Sequence, residues 1–149
     1  NVLVVWDGDG VSPAQNALDA SLEIESEVNS TLLAETGLEG LEPLAVGIGL
    51  EQGPVLLGSI GPAHRRAHTL CGETVSVVLR IQEMTADLSY PILIGEVAAR
   101  YLQDAPLKSL GHYMLPGLTT ANLLFAPEAL EKDEPTKKTE LTLLKGGLV

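Results

Sequence analysis

The stretch that most constrains this chain runs from residue 45 to residue 80, and it combines two apolar segments, a basic loop and a helix. Apolar residues alternate with small ones from Val46 to Leu50, which predicts a strand. Gln52-Gly53-Pro54 is typical of a turn, and the apolar run 55–60 then predicts a second, buried strand. The simplest arrangement of the two strands is an antiparallel pair of neighbours.

A polar and basic loop follows, and residues 73–84 then show helical periodicity. Four polar residues share one face of that helix: Glu73, Ser76, Arg80 and Glu83. The Arg80 guanidinium could bind a phosphate group, because its planar fork donates two parallel hydrogen bonds. Spacing alone favours another interpretation, an intrahelical ion pair of Arg80 with Glu83 or Glu73.

The charge distribution favours a small anionic partner over a nucleic acid. The formal net charge of −11 argues against a general surface for nucleic acid or anionic membrane. Yet three of the four arginines, Arg65, Arg66 and Arg80, lie within the central stretch. Such a local basic island suits an anionic small molecule, although Arg65 and Arg66 could equally be solvated or pair with acidic residues of a partner subunit.

Cysteine and histidine usage gives little sign of a metal site. The single Cys71 excludes an internal disulfide, fits a reducing compartment, and reads as a buried structural thiol because it ends an apolar segment. His64 and His68 have i, i+4 spacing, but solvent-exposed or interface histidines are favoured since no carboxylate or second cysteine lies nearby. Residues 7–10, DGDG, read as a turn, because Leu18 stands where a calcium loop needs glutamate.

The whole pattern predicts an α+β protein. Val2–Trp6 reads as a buried strand, and a long amphipathic helix begins at Ser12-Pro13 and ends at Gly37. Further along, the sequence predicts a strand at residues 90–94 and a short helix at residues 96–102. Three short strands are predicted at residues 107–111, 112–115 and 121–126. The order suits a sheet with helices on one face. Residues 128–149 predict a charged flexible tail, and no apolar run approaches the ~18 residues of a membrane span.

Several motifs in this order resemble the catalytic domain of the class III nucleotidyl cyclases. That family shows a glycine-rich turn, a strand ending in G-x-I-G, a variable arm, and a helix that begins G-[DE]-T-V and carries an arginine. The matching segments are Gly47–Gly53, Gly58–Gly61, Gly72–Val75 with Arg80-Ile81, Tyr90–Glu96 and Leu110–Leu118. The resemblance covers residues 1–127 and implies a ferredoxin-like cyclase core that lacks its first strand and helices, the C-terminal two-thirds of the domain.

The resemblance implies an adenylate cyclase that acts as a homodimer and converts ATP to cyclic AMP and pyrophosphate. It assigns Arg80 to the phosphate in the transition state. Ser76 stands where the family usually has an asparagine that orients the ribose. Thr69 stands at the purine-reading position, where threonine is typical of the bacterial adenylyl type. The arm that reaches across the dimer in cyclases would carry four basic side chains here: His64, Arg65, Arg66 and His68.

The same resemblance implies a reaction with two Mg²⁺ or Mn²⁺ ions, held by two aspartates. Both aspartates would fall before or at Asn1, so no metal ligand is expected within this chain. The arm is most similar to that of bacterial cyclases with an extracytoplasmic sensor, which implies a cytoplasmic domain anchored to a membrane only through upstream segments. Ser76 favours one alternative, a degenerate domain that binds nucleotide or dimerises without turnover, and an unrelated ferredoxin-like interaction module is another.

Overall fold

The computed structural model describes residues 2–8, 10–35 and 45–130, and for residues 31–35 only the backbone. The helices within these ranges are α1 Val11–Glu35, α2 Glu73–Leu88 and α3 Glu96–Arg100, with a 3-10 turn at Glu128–Leu130. The strands are β1 Ile48–Leu50, β2 Leu56–Ile60, β3 Ala67–Cys71, β4 Ile92–Gly95, β5 Leu107–Met114 and β6 Ala121–Pro127. Asp9, the predicted helix end at Gly37 and the tail from residue 131 onward lie outside the described residues.

An inner strand, β4, connects the parallel and antiparallel parts of the main sheet. The strand order is β1-β4-β6-β5; β1 runs parallel to β4, and the other two pairings are antiparallel. All four residues of β4 are buried, as expected of an apolar run of this length. Because the separate β2–β3 pair is also antiparallel, the predicted α+β class with an antiparallel-rich sheet is confirmed.

The helices cover both faces of this sheet, whereas the sequence predicted helices on one face. Ile92 and Ile94 of β4 pack against α1 and α3 in one buried cluster. Leu93 belongs to a second cluster, with Ile81 of α2. Successive side chains of a strand point to opposite faces, so a strand that is apolar at every position needs cover on both. The uninterrupted apolar run at β4 was the sequence signal that indicated helices on both faces of the sheet.

Glycines in β1 and directly before it allow α2 to lie directly on the sheet. A Cβ added at Gly49 would lie 2.7 Å from the backbone oxygen of Val78 and 2.8 Å from the backbone nitrogen of Gln82. A Cβ added at Gly47 would overlap the hydroxyl of Thr85, which is itself buried. The position of α2 is therefore fixed by backbone packing, and so is the direction in which its outer face points.

The predicted antiparallel pairing of the first two strands is wrong. β2 pairs with β3 in a hairpin of its own, from Leu56 opposite Cys71 to Ile60 opposite Ala67, while β1 pairs with β4. All five residues of β2 are exposed. An apolar sequence predicts burial only if another part of the fold covers it, and here the hairpin projects from the main sheet.

Two further expectations of burial are also wrong. Val2–Trp6 forms no strand, and Val2 and Val4 are 88% and 60% exposed. A strand forms only where a neighbouring strand can hydrogen-bond with it. Within the described residues, no strand pairs with Val2–Trp6, and β1 pairs only with β4. Cys71, the last residue of β3, is exposed because it belongs to the projecting hairpin.

The C-terminal hairpin contains one long strand where two short ones were expected. β5 runs without a break from Leu107 to Met114, with a register shift against β6 between Ser109 and Gly111. Gly111 has φ +106°, a backbone conformation that glycine adopts without strain, so a bulge accommodates the irregularity. Beyond β6, Leu130 packs against the buried cluster that contains Ile92 and Ile94.

Candidate active site

Helix α2 presents Ser76 and Arg80 on its outer face. It begins after Gly72, whose φ of +142° turns the chain out of β3 and into the helix. Ser76 is exposed, and its backbone N–H donates to the Gly72 oxygen at 3.4 Å. Ile81, one residue beyond Arg80, is fully buried against the sheet. The helix therefore holds the two candidate residues on a rigid, solvent-facing surface.

Arg80 is engaged by a carboxylate of its own helix. Its Nη1 donates to Oε2 of Glu83 at 2.7 Å and to Oε1 at 3.0 Å. The two side chains are 43% and 51% exposed, so water screens the pair and it stabilises the helix only weakly. The ion pair that spacing favoured is thus present. It leaves the guanidinium half accessible to a ligand.

Thr69 lies on β3, three residues before Gly72, and is partly exposed. It is paired with Gly58 of β2, where an added Cβ would meet no atom within 4 Å. The surface beside Thr69 is therefore open.

The four basic residues of the arm lie at or next to the turn of the hairpin. His64, Arg65 and Arg66 are exposed in that turn, and His68 is exposed on β3. The hydroxyl of Ser59 and Nδ1 of His68 are 3.2 Å apart across the hairpin. His64 and His68 do not share a helix, so their i, i+4 spacing does not bring the two rings to one face.

Thr74 is a positioning residue that the sequence analysis missed. Its hydroxyl donates to the backbone oxygen of Pro54 at 2.9 Å and so connects the start of α2 to the β1–β2 connection. An added Cβ at Gly53 would overlap this hydroxyl. The threonine of the Gly-Glu-Thr-Val motif was the available signal, because a hydroxyl in the first turn of a helix can reach neighbouring backbone.

Glu51 is a buried carboxylate that the sequence analysis also missed. Its Oε1 accepts hydrogen bonds from the backbone N–H groups of Gln52 at 2.8 Å and of Ala98 at 2.9 Å. Burial raises the pKa of Glu51 above the ordinary 4.5, and its two backbone hydrogen bonds offset part of that rise. The contact with Ala98 joins residues far apart in sequence, so no local pattern reveals it.

Glu51→Gln is expected to make the free energy of unfolding less dependent on pH. With its pKa raised in the folded state, Glu51 keeps a proton that it loses on unfolding, so its contribution to stability declines as the pH rises above 4.5. Glutamine does not titrate, and its oxygen can still accept from Ala98. Urea unfolding at pH values from 4 to 8 should show that the free energy of unfolding of the variant increases relative to that of the wild type as the pH rises. A difference in free energy of unfolding that stays constant across this range would contradict the expectation, and Glu23→Gln, at an exposed carboxylate of α1, is the matched control.

A cavity in the described part of the chain lies away from the candidate residues. It has a volume of about 570 Å³ and lies between the N-terminal segment, α1, β1 and the inner side of α2. Its wall includes Glu51 and Gln52, and the buried Oε1 of Gln52 has no hydrogen-bond partner among the residues that the structure describes. Neither this cavity nor the smaller one beside α3 is lined by Thr69, Ser76 or Arg80. Ser76 is exposed, Thr69 and Arg80 are half-buried, and neither cavity encloses any of the three.

Any metal ion bound by the described part of the chain would need ligands among its side chains. They contain no group of three or more histidine, cysteine, aspartate or glutamate residues that could hold an ion. The residues described here therefore do not fit a two-ion site by themselves. In the same part of the chain, no helix is both long and apolar enough to span a bilayer.

Comparison with known proteins identifies relatives among the bacterial adenylate cyclases. An adenylate cyclase of Anabaena cylindrica is 30% identical over 101 residues, which are 68% of this chain and 20% of that protein. Adenylate cyclase 1 of Rhizobium meliloti strain 1021 is 28% identical over 109 residues, 72% of this chain and 16% of that protein. The chain thus spans no more than a fifth of the length of these relatives. No protein-family model matches it.

Solved structures agree on the fold. A bacterial light-regulated adenylyl cyclase superposes with a TM-score of 0.70 at 25% identity, over 81% of this chain and 34% of that one. The adenylyl cyclase CyaB from P. aeruginosa superposes with a TM-score of 0.69 at 15% identity, over 79% of this chain and 60% of that one. The second likeness bears on the fold alone, and together the two confirm the predicted cyclase-type core.

Proposed function

We propose that this chain, which belongs to the class III cyclase catalytic domains, forms the substrate-binding half of an adenylate cyclase site. The reaction would convert ATP to cyclic AMP and pyrophosphate. One observation carries the proposal: α2 holds a half-exposed guanidinium, Arg80, where the family motif has its catalytic arginine. Relatives known as adenylate cyclases support the adenine nucleotide as substrate.

Each candidate residue has a role that its chemistry allows. Arg80 would donate hydrogen bonds to phosphate oxygens as negative charge develops on them, which lowers the barrier more than it tightens substrate binding. Ser76, one turn before it on the same face, would orient the ribose through its hydroxyl. Thr69 would hydrogen-bond the adenine at the open edge of the hairpin.

A homodimer would supply a second surface beside these residues. The projecting hairpin exposes apolar side chains, since Leu56, Leu57 and Ile60 are 75%, 73% and 63% exposed. Apolar surface of this kind on a projecting element favours contact with another protein surface. The basic residues at the hairpin turn, His64 to His68, would then lie near the partner subunit and its bound nucleotide.

Mg²⁺ or Mn²⁺ belongs to the proposal as the family's cofactor, with ligands outside the described residues. When bound, such ions polarise the attacking hydroxyl and neutralise the triphosphate. We further propose a cytoplasmic location for the domain, in a receptor whose other segments provide any membrane anchor. A degenerate domain that binds nucleotide without turnover is the second candidate, favoured by Ser76 and by the contact of Arg80 with Glu83.

Cyclic nucleotide formation by the full-length protein is the test of the proposal. The protein would be given ATP or GTP with Mn²⁺, and both cyclic products would be measured. Cyclic AMP without cyclic GMP is expected. If neither product forms while the protein is dimeric and binds ATP, the degenerate domain is the better interpretation.

Ser76→Asn is expected to raise the turnover of ATP by about tenfold, because a longer side chain can hold the ribose closer to its reactive geometry. The exposed position of Ser76 gives the asparagine room, so thermal stability should not change. The initial rate of cyclic AMP formation at saturating ATP is the measurement. Ser89→Asn, at the exposed end of α2, is the control, and an unchanged rate in Ser76→Asn would argue against a ribose-orienting role.

A further inference from the structure

We infer that Glu83 competes with the nucleotide phosphate for Arg80 and thereby lowers the affinity of the site for its substrate. This inference rests on the proposed function. Both hydrogen bonds of the pair use one nitrogen, Nη1, and both oxygens of the carboxylate. The family motif assigns no residue at this position, three residues beyond the arginine.

The guanidinium has two edges at which a phosphate could bind, and Glu83 affects both. At the edge formed by Nη1 and Nη2, a phosphate competes with the Glu83 carboxylate for Nη1. A phosphate that binds the other edge, formed by Nε and Nη2, leaves the carboxylate bound to the same guanidinium. In the first case an ion pair is lost, and in the second a negative charge remains close to the phosphate.

The rest of α2 does not offset the carboxylate of Glu83. Arg80 is the only basic residue of the helix, whereas Glu73, Glu83 and Asp87 are all acidic and exposed. A triphosphate that approaches this face therefore meets more negative than positive charge. Removing one negative charge next to Arg80 should strengthen binding, and the pair's exposure limits the size of the gain.

The test compares nucleotide binding by the full-length protein and by three variants, Glu83→Gln, Arg80→Ala and the double variant. Glutamine can still accept a hydrogen bond from Arg80, so Glu83→Gln removes the charge and retains the side-chain length. We expect it to lower the Kd for ATP and the KM by about two- to fivefold, the range that one exposed ion pair can supply. Because the effect is on binding, kcat should stay within about twofold.

The matched control is Glu96→Gln. Glu96 forms the same kind of exposed pair, with Arg100 on α3, away from the candidate residues. It should change thermal stability as little as Glu83→Gln does and leave the Kd for ATP unchanged. A merely structural role of Glu83 would move the thermal midpoint, and it would not move the Kd.

The possible outcomes separate the inference from the proposed function. If Arg80→Ala weakens ATP binding but Glu83→Gln does not tighten it, the inference is wrong and the proposed site stands. A gain from Glu83→Gln that persists in the Arg80→Ala background also overturns the inference, because the effect is then one of general charge. If no variant changes the affinity for ATP, the inference is wrong, and the proposed function fails as well if Arg80→Ala also keeps the full rate of cyclic AMP formation.

Discussion

Replacing Arg80 by alanine is expected to lower the rate of cyclic AMP formation by about two to three orders of magnitude while the fold stays intact. That factor is typical for the loss of one donor aimed at charge that develops in the transition state. The effect should fall mainly on kcat, because the guanidinium would bind the phosphate more strongly in the transition state than in bound ATP. Steady-state kinetics of the full-length protein with ATP and Mn²⁺ are the measurement.

The structure supplies two controls for this variant. Arg100→Ala breaks the corresponding exposed pair on α3 and should leave the rate unchanged. Arg80→Lys keeps the charge without the planar fork, so it should recover only part of the activity. Since the pair with Glu83 is exposed, Arg80→Ala should cost less than about 1 kcal/mol of unfolding free energy. If Arg80→Ala keeps the full rate, Arg80 does not act in catalysis.

Local periodicity was sufficient to predict the elements that carry the candidate site. The helical spacing of residues 73–84 predicted α2, and the structure extends it to Leu88. The i, i+3 spacing of Arg80 and Glu83 also predicted their contact, because residues at that distance on a helix are neighbours. A contact within one turn of a helix depends on the regular geometry of the helix and on the residue types at the two positions. Both can be read from the sequence.

Predictions that depended on distant partners failed for a shared reason. The apolar runs at Val2–Trp6 and at β2 were both expected to be buried, and both are largely exposed. Whether an apolar segment is covered depends on which other segment reaches it, and hydropathy does not contain that information. The same limit hid the contact between Glu51 and Ala98, which brings the end of β1 to the start of α3.

Substituting Gly49 by alanine is expected to lower the free energy of unfolding by about 2 to 3 kcal/mol, the cost of overpacking where the neighbours cannot yield. The added Cβ would contact backbone atoms of Val78 and Gln82, and a helix backbone cannot rotate away as a side chain can. The helix must shift as a unit. That shift would also displace Arg80, so cyclic AMP formation should fall by about tenfold or more.

Gly58→Ala is the matched control for Gly49→Ala, because both glycines lie in strands and a Cβ at Gly58 meets no atom within 4 Å. Urea unfolding should show little change for Gly58→Ala and a clear loss for Gly49→Ala. A double substitution with Val78→Ala should not rescue the loss, since the closest contact of the added Cβ is with the backbone oxygen of Val78. Equal stability of the two single variants would show that α2 does not pack on β1 as closely as the structure indicates. The position of Arg80 would then depend on the hairpin and Thr74 instead.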